Sequence, residues 1–247
     1  MDEHKPIRKH GISAVLDDGR QQNDEKFLIK EHALSIIVNG NRTIKLICTD
    51  EYLDELVIGR LLTEGFIKKR EDIVKIELSN DRTGVFAEIH EYNAGNMEDM
   101  AFIDPCNAYS AESVRLNKLP KIRWKKEWIF ALAEEFEKGM PLHNMTKSVH
   151  SSILMSDGKV IFACEDIGRH NAVDKAVGYT IKHGIDRSSC ILFSSGRIPV
   201  DMARKSIAAK IPVLVSKSYP TDDAVGLAHK FGLTLIGNAR PEIFNVY

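Results

Sequence analysis

The sequence predicts an α/β protein: a second half built on a mixed, mostly parallel sheet with crossover helices, preceded by a smaller α+β unit. Three observations carry that expectation. The short apolar runs CILF, VLV and LTLI alternate with helical stretches across brief connections. Two hairpin signals, Asn39-Gly40 and Asp157-Gly158, each separate a pair of strand-like segments. The chain has 247 residues, 43% of them hydrophobic, enough to fill two modest cores.

Residues 1–26 are polar, predict a mobile tail, and lack the apolar run of a signal peptide. The unit at 27–120 opens with SIIVNGNRTIKLI, two strands around the Asn39-Gly40 turn. A helix follows, with Asp50 as its expected cap, Tyr52, Leu53, Leu56, Val57 and Leu61 on one face, and Gly65 at its end. DIVKIELS and GVFAEIH make a second strand pair across NDRTG. Residues 91–120 show neither period, and a long stretch of that kind is usually functional, mobile or both. Cys106 lies in its middle.

The unit at 121–247 begins with a helix that turns Trp128, Ile129, Leu132, Ala133 and Phe136 inward and ends at GMP. VHSSILM and KVIFAC then pair across Asp157-Gly158 as an antiparallel edge of the sheet. The helix from Asn171 to His183 has Ala172, Val173, Ala176, Val177 and Ile181 on one face and stops at Gly184. Pro199 suits a first helical turn, and Thr221 caps the helix that ends at Gly232.

Lys plus Arg number 34 against 35 Asp plus Glu, so nothing supports a whole-protein nucleic-acid binder, and any charge-driven site is local. No window is apolar enough to span a bilayer, so the expectation is a cytoplasmic protein without a membrane partner. Cys48, Cys106, Cys164 and Cys190 form neither a Cys-x-x-Cys pair nor a zinc spacing, which predicts free thiols and no metal site. Cys48, Cys164 and Cys190 read as core residues.

Parallel strands send their strand-to-helix loops to one edge, where open α/β sheets bind ligands. Four loops meet that description: CEDIGRHN, SSGRIP, SKSYPTD and GNARPEI. Each carries a cation, namely Arg169, Arg197, Lys217 and Arg240, and the first three lead into helix N-termini that favour an anion. Glu165, Asp166 and Asp174 add carboxylates that either pair with those cations or accept hydrogen bonds from a heterocycle or ribose. A nucleotide-like ligand uses both signs. For any single group the competing expectation is a salt bridge or a cap; Asp174 and Lys175, beyond the helix start, are equally suited to plain solvation. His170 suits either a core position or a ligand contact.

The block CEDIGRHNAVDKAVG, with SSGR, KSYPTDDAVGLA and GNARPEIFNVY, resembles the FdhD family of formate dehydrogenase accessory sulfurtransferases. ALSIIVNG and ELVIGRLLTEGFI extend the resemblance into the first unit. The resemblance implies a three-layer α/β/α sandwich similar to cytidine deaminases, and a homodimer. It also implies a sulfurtransferase that takes persulfide sulfur from a cysteine desulfurase and passes it to a bis(molybdopterin guanine dinucleotide) cofactor of molybdenum or tungsten, for formate dehydrogenase. The cofactor would be bound as a substrate. Its seat would comprise Glu165, Asp166, Arg169, His170, Asn171, Asp174, Lys175, Ser195, Gly196, Arg197, Lys217 and Ser218. The terminal segment Asn238, Ala239, Arg240, Pro241, Glu242 and Ile243 would complete it, with His150.

Two departures stand out. The family's Cys-x-x-Cys sulfur carrier is matched by CNAY, so Cys106 stands at the first position and Tyr109 at the second. One thiol suffices to hold a persulfide; the lost neighbour is one that could lower its pKa or resolve the intermediate. Where the family shows a Thr-Gly-Gly run before a His, this chain has Thr146, Lys147 and Ser148 before Val149 and His150. Two alternatives follow: a non-catalytic cofactor-binding chaperone for formate dehydrogenase, and a deaminase-type zinc hydrolase suggested by Asp104-Pro105-Cys106. The second lacks both a second sulfur and a His-x-Glu.

Overall fold

In the computed structural model, which describes residues 5–90 and 116–247, the polar N-terminal stretch is folded. Strand β1 (Ile7–Val15) pairs antiparallel with β2 (Gln21–Ile29), from Ile7 opposite Ile29 to Val15 opposite Gln21. A mobile tail over residues 1–26 is therefore corrected for residues 7–26. The ribbon is exposed on both faces, so no apolar alternation announces it; backbone pairing, open to any side chain, holds it together.

Strands β3 (His32–Val38) and β4 (Arg42–Cys48) form the Asn39-Gly40 hairpin, with both turn residues at positive φ as the primed turns require. With β5 (Ile73–Leu78) and β6 (Gly84–Ile89) they make a sheet of order β4-β3-β6-β5. Its inner face, including Leu34, Ile36, Val38, Ile44, Leu46 and Val85, packs on helix α1 (Leu53–Thr63). Asp50 does not cap this helix. Its N-cap is Tyr52, in a left-handed conformation, while Asp50 Oδ1 accepts a hydrogen bond from Arg82 Nε at 2.8 Å. Tyr52 is also turned out, 44% exposed, with its ring edge-on to Phe162.

The second sheet has the order β12-β11-β10-β9-β7-β8. Strands β8 (Lys159–Asp166), β9 (Cys190–Ser194), β10 (Val213–Ser216) and β11 (Thr234–Gly237) share one direction. Strand β7 (His150–Ser156) runs against them between β8 and β9, and β12 (Asn245–Val246) runs against β11 at the far edge. The hairpin is thus no simple edge: β7, buried over five consecutive residues, lies inside the sheet, and the more exposed β8 is the border.

Three layers result. Ile153, Met155, Ile191, Phe193, Val213, Val215 and Ile236 meet Ile129, Leu132 and Phe136 of α2 (Lys126–Glu137) on one face. Leu154, Leu192, Leu214 and Leu235 join the core shared with α4 (Arg169–Lys182), α5 (Val200–Ala208) and α6 (Asp222–Phe231) on the other. A short helix that the sequence left unread, α3 (Pro141–Thr146), follows α2 and carries β2 against it.

Helix α1 of the first unit lies directly on α4 of the second, and one apolar cluster runs through both. Two glycines permit the contact: a Cβ on Gly59 would stand 1.8 Å from the Asp174 carbonyl oxygen, and one on Gly178 1.8 Å from that of Glu55. No described helix is long and apolar enough to cross a membrane.

Candidate functional site

Because β8 to β11 run the same way, their following loops emerge at one edge, and β7 begins there, with His150 opposite Asp166. Helix α4 starts at Arg169, two residues earlier than expected, and α5 starts after Pro199; neither has a side-chain cap. Thr221 does cap α6, accepting from the Ala224 backbone N–H at 3.4 Å. The first two helix starts therefore keep backbone donors at the rim.

The rim has a tight centre. Gly196 lets Arg169 cross it: a Cβ there would lie 3.1 Å from Arg169 Cδ and 3.5 Å from His150 Nδ1. Ser195 Oγ accepts from the Ser151 backbone N–H at 2.9 Å and sits 3.3 Å from His150 Nδ1. Burial, then the nearby Arg169 charge, lowers the pKa of His150 and favours the neutral ring. Among the described residues, Arg169 Nε and the hydroxyls of Ser151 and Ser152 are buried without a hydrogen-bond partner, which is uncommon; as neighbours on β7 the two serines point to opposite faces of the sheet. His170 faces Asp201 on α5, its Nε2 3.2 Å from Oδ2 but without an aligned hydrogen bond.

The remaining rim residues sit on adjoining loops. Arg197 is exposed and has no ion-pair partner among the described residues. Lys217 Nζ is 3.1 Å from Glu137 Oε1 and 4.8 Å from the Phe136 ring centre, so it is partly engaged by α2. Ser218 N donates to Ser216 Oγ at 2.8 Å, and its carbonyl accepts from Asn238 N at 2.9 Å. Arg240 Nη1 donates to the carbonyls of Lys217 at 2.6 Å and Ala239 at 3.2 Å, tying the last loop to its neighbour. Ala239 is buried, Pro241 half-buried, and Glu242 and Ile243 exposed. Lys147 ends α3 at φ +55°, so a lysine holds the left-handed conformation a glycine would take without strain.

The other five residues of the acidic block are engaged by partners within the protein. Glu165 accepts from the backbone N–H groups of Leu142 at 2.8 Å and His143 at 2.7 Å, at the start of α3. Asp166 holds Lys175 Nζ at 2.6 Å and accepts from Thr49 N, Gly168 N and Asn171 Nδ2. Lys175 is 0% exposed and also reaches Thr49 Oγ1 at 2.6 Å. Asn171 receives Arg60 Nη2 at 3.2 Å and donates to the Ile47 carbonyl at 2.7 Å. Asp174 accepts from Lys205 Nζ at 2.9 Å and from Thr63 Oγ1 at 2.8 Å, with Arg60 Nε 3.0 Å away. The side chains of Asp166, Asn171, Asp174 and Lys175 belong to a buried ionic net between the units, so Asp174 and Lys175 are not solvated. Thr49, Arg60, Thr63, Glu64 and Lys205 complete it, and no sequence signal marked them, because Thr49 and Lys175 stand 126 positions apart.

Burial pushes the thiols of Cys48 and Cys164 up to about 12 and that of Cys190 up to about 11, so none is a thiolate at neutral pH. Cys106 and Tyr109, with the Asp104-Pro105 pair, lie outside the described residues. Among the described residues no group of three or more His, Cys, Asp and Glu is placed to hold a metal ion.

Fold and rim together define a two-unit, mixed-sheet α/β protein with cations gathered at the carboxyl edge of its strands. Residues 29–247 match the FdhD/NarQ family, and the chain belongs to it. The sulfur carrier protein FdhD of Wolinella succinogenes is 32% identical over 98% of this chain and 87% of that one. The protein of the same name from Bacillus subtilis is 29% identical, covering 96% and 95%. A crystal structure assigned as a formate dehydrogenase accessory protein from Desulfotalea psychrophila superposes with a TM-score of 0.81 at 24% identity, over 98% of this chain and 97% of that one. At that identity the likeness speaks for the fold.

Proposed function

We propose that this chain is a sulfur carrier and sulfurtransferase that serves a formate dehydrogenase as a cytoplasmic homodimer. Cys106 is its carrier and the cationic rim is the seat of a bis(molybdopterin guanine dinucleotide) substrate. The observation that carries the seat is the meeting of the loops that hold Arg169, Arg197, Lys217 and Arg240 at one edge, beside the orphaned Arg169 Nε. Phosphates of the guanine nucleotide arms pair with the cations, and Ser218 and Asn238 suit base or ribose groups. The carrier assignment is supported by elimination, since the three described thiols are shut away by burial. The Cys106 thiolate attacks the outer sulfur of a desulfurase persulfide, an S–S bond forms to Cys106, and the desulfurase thiolate leaves. In the second step the acceptor takes that outer sulfur and Cys106 departs as a thiolate with its electron pair.

The carrier is tested by incubating wild type and Cys106→Ala with a cysteine desulfurase and cysteine and recording intact masses. An adduct of one sulfur atom confined to wild type is expected; no adduct, or the same adduct on both, overturns it. Guanosine diphosphate tests the seat, with tight binding to wild type and weak binding to Arg197→Gln expected. Tyr109 in place of a second cysteine favours one other reading, a chaperone that binds the cofactor without transferring sulfur. That reading requires Cys106→Ala to support full dehydrogenase activity.

A further inference from the structure

At the opposite edge of the second sheet, a cavity of about 210 Å³ lies between the two units. Lys69 and Arg70 reach it from the turn that precedes β5, Arg187 from the turn before β9, and Lys210 from the turn before β10. The last two turns stand at the amino ends of the strands whose carboxyl ends make the rim, so the cavity is a separate place.

The charge there is unbalanced. None of the four cations makes an ion pair or a side-chain hydrogen bond among the described residues. Two carboxylates share the wall, Glu71 and Asp186. Asp186 is already engaged, accepting from the Ser188 backbone N–H at 3.0 Å and from its hydroxyl at 2.8 and 2.9 Å. Arg187 is half-buried, and desolvation lowers its pKa against the weaker opposing pull of Cys190 and the adjacent Asp186. Lys210 holds φ +59°, a left-handed conformation better suited to glycine, so the chain keeps a cation where the backbone does not favour one.

We infer that this cavity binds a small phosphoryl dianion, either inorganic phosphate or the phosphate end of a small phosphomonoester. Two guanidiniums offer paired N–H donors to a tetrahedral oxyanion, and two lysines add point charges. Drug-sized ligands occupy roughly 300–1,000 Å³, so the space suits an ion or a headgroup and not a dinucleotide. Because the cations come from both units, the bound anion ties the Lys69–Glu71 turn to the second unit and stabilises the closed assembly by mass action.

Titration calorimetry with inorganic phosphate at constant ionic strength tests this on the full chain carrying Arg197→Gln, which weakens the rim's own hold on phosphate, with Arg187→Gln, Lys210→Gly or, as control, Lys45→Gln on the exposed face of β4 added to it. The Arg197→Gln chain and its Lys45→Gln form are expected to bind alike, while adding Arg187→Gln or Lys210→Gly lowers affinity tenfold or more. Lys210→Gly keeps or raises the melting temperature, since glycine accepts the positive φ, and it decides the matter alone if Arg187→Gln fails to fold. Glycerol 3-phosphate binding more tightly than phosphate assigns the site to a phosphomonoester; equal or weaker binding assigns it to the free ion. No phosphate uptake, or uptake that survives intact in both cavity variants, overturns the inference.

Discussion

Lys175 shows how one side chain changes meaning between sequence and structure. In the string EDIGRHNAVDK it reads as part of a charged ligand seat, yet it is wholly enclosed, with Asp166 at 2.6 Å and the Glu165 carbonyl at 3.2 Å. A buried pair of this kind costs desolvation to form, and removing one partner strands the other. Lys175→Met is therefore expected to destabilise the fold by about 3–5 kcal/mol, measured by urea unfolding; an unchanged midpoint would remove the net from the account. Arg197→Gln is the contrast. Its side chain is exposed and unpaired among the described residues, so its stability should stay within about 0.5 kcal/mol while guanosine diphosphate binding weakens. Local sequence shows that both residues are charged, but only the packing around them separates a strut from a contact.

Among the elements, the crossing of α1 and α4 is the most exacting. Gly59 and Gly178 each face a carbonyl oxygen on the other helix, so a methyl group at either site must push the helices apart. Gly59→Ala is expected to cost about 3 kcal/mol, at the upper end of overpacking penalties, and a change under 0.5 kcal/mol would contradict the contact. Gly226, in α6, has open space where its Cβ would stand and no positive φ. Gly226→Ala should instead stabilise by about 0.5–1 kcal/mol, read as a raised melting temperature. Strand and helix existence was legible wherever apolar residues kept a period, as in β3, β4, α2 and α4. The ribbon β1–β2 and the short α3 were not, because one is polar on both faces and the other spans six residues.

Over the whole molecule, one apolar cluster and one ionic net join the units, so they should melt together. Calorimetry is expected to show a single transition, and two resolved transitions would mean that the seam is weak. Acid sensitivity belongs to the same seam. Burial alone would raise the Asp174 pKa, but Lys205 and Arg60 outweigh it and hold the carboxyl below its usual value. A carboxyl lowered in the folded state contributes stability above its unfolded pKa of about 3.9, and that contribution is lost as pH falls through the folded value. Melting temperature should therefore drop steeply below about pH 4. Asp174→Asn should be less stable at neutral pH and show a shallower acid slope; an identical slope would exclude Asp174 as a source.

By itself the sequence determined the alternation of strands and helices, the shared edge for four cationic loops, and the family, because periodicity, turn chemistry and motif spacing are local properties of the chain. Tertiary structure alone decided which charges meet solvent and which meet one another. Burial and ion pairing depend on residues such as Thr49, Arg60 and Lys205 that the fold brings from distant positions, and no local pattern encodes that meeting.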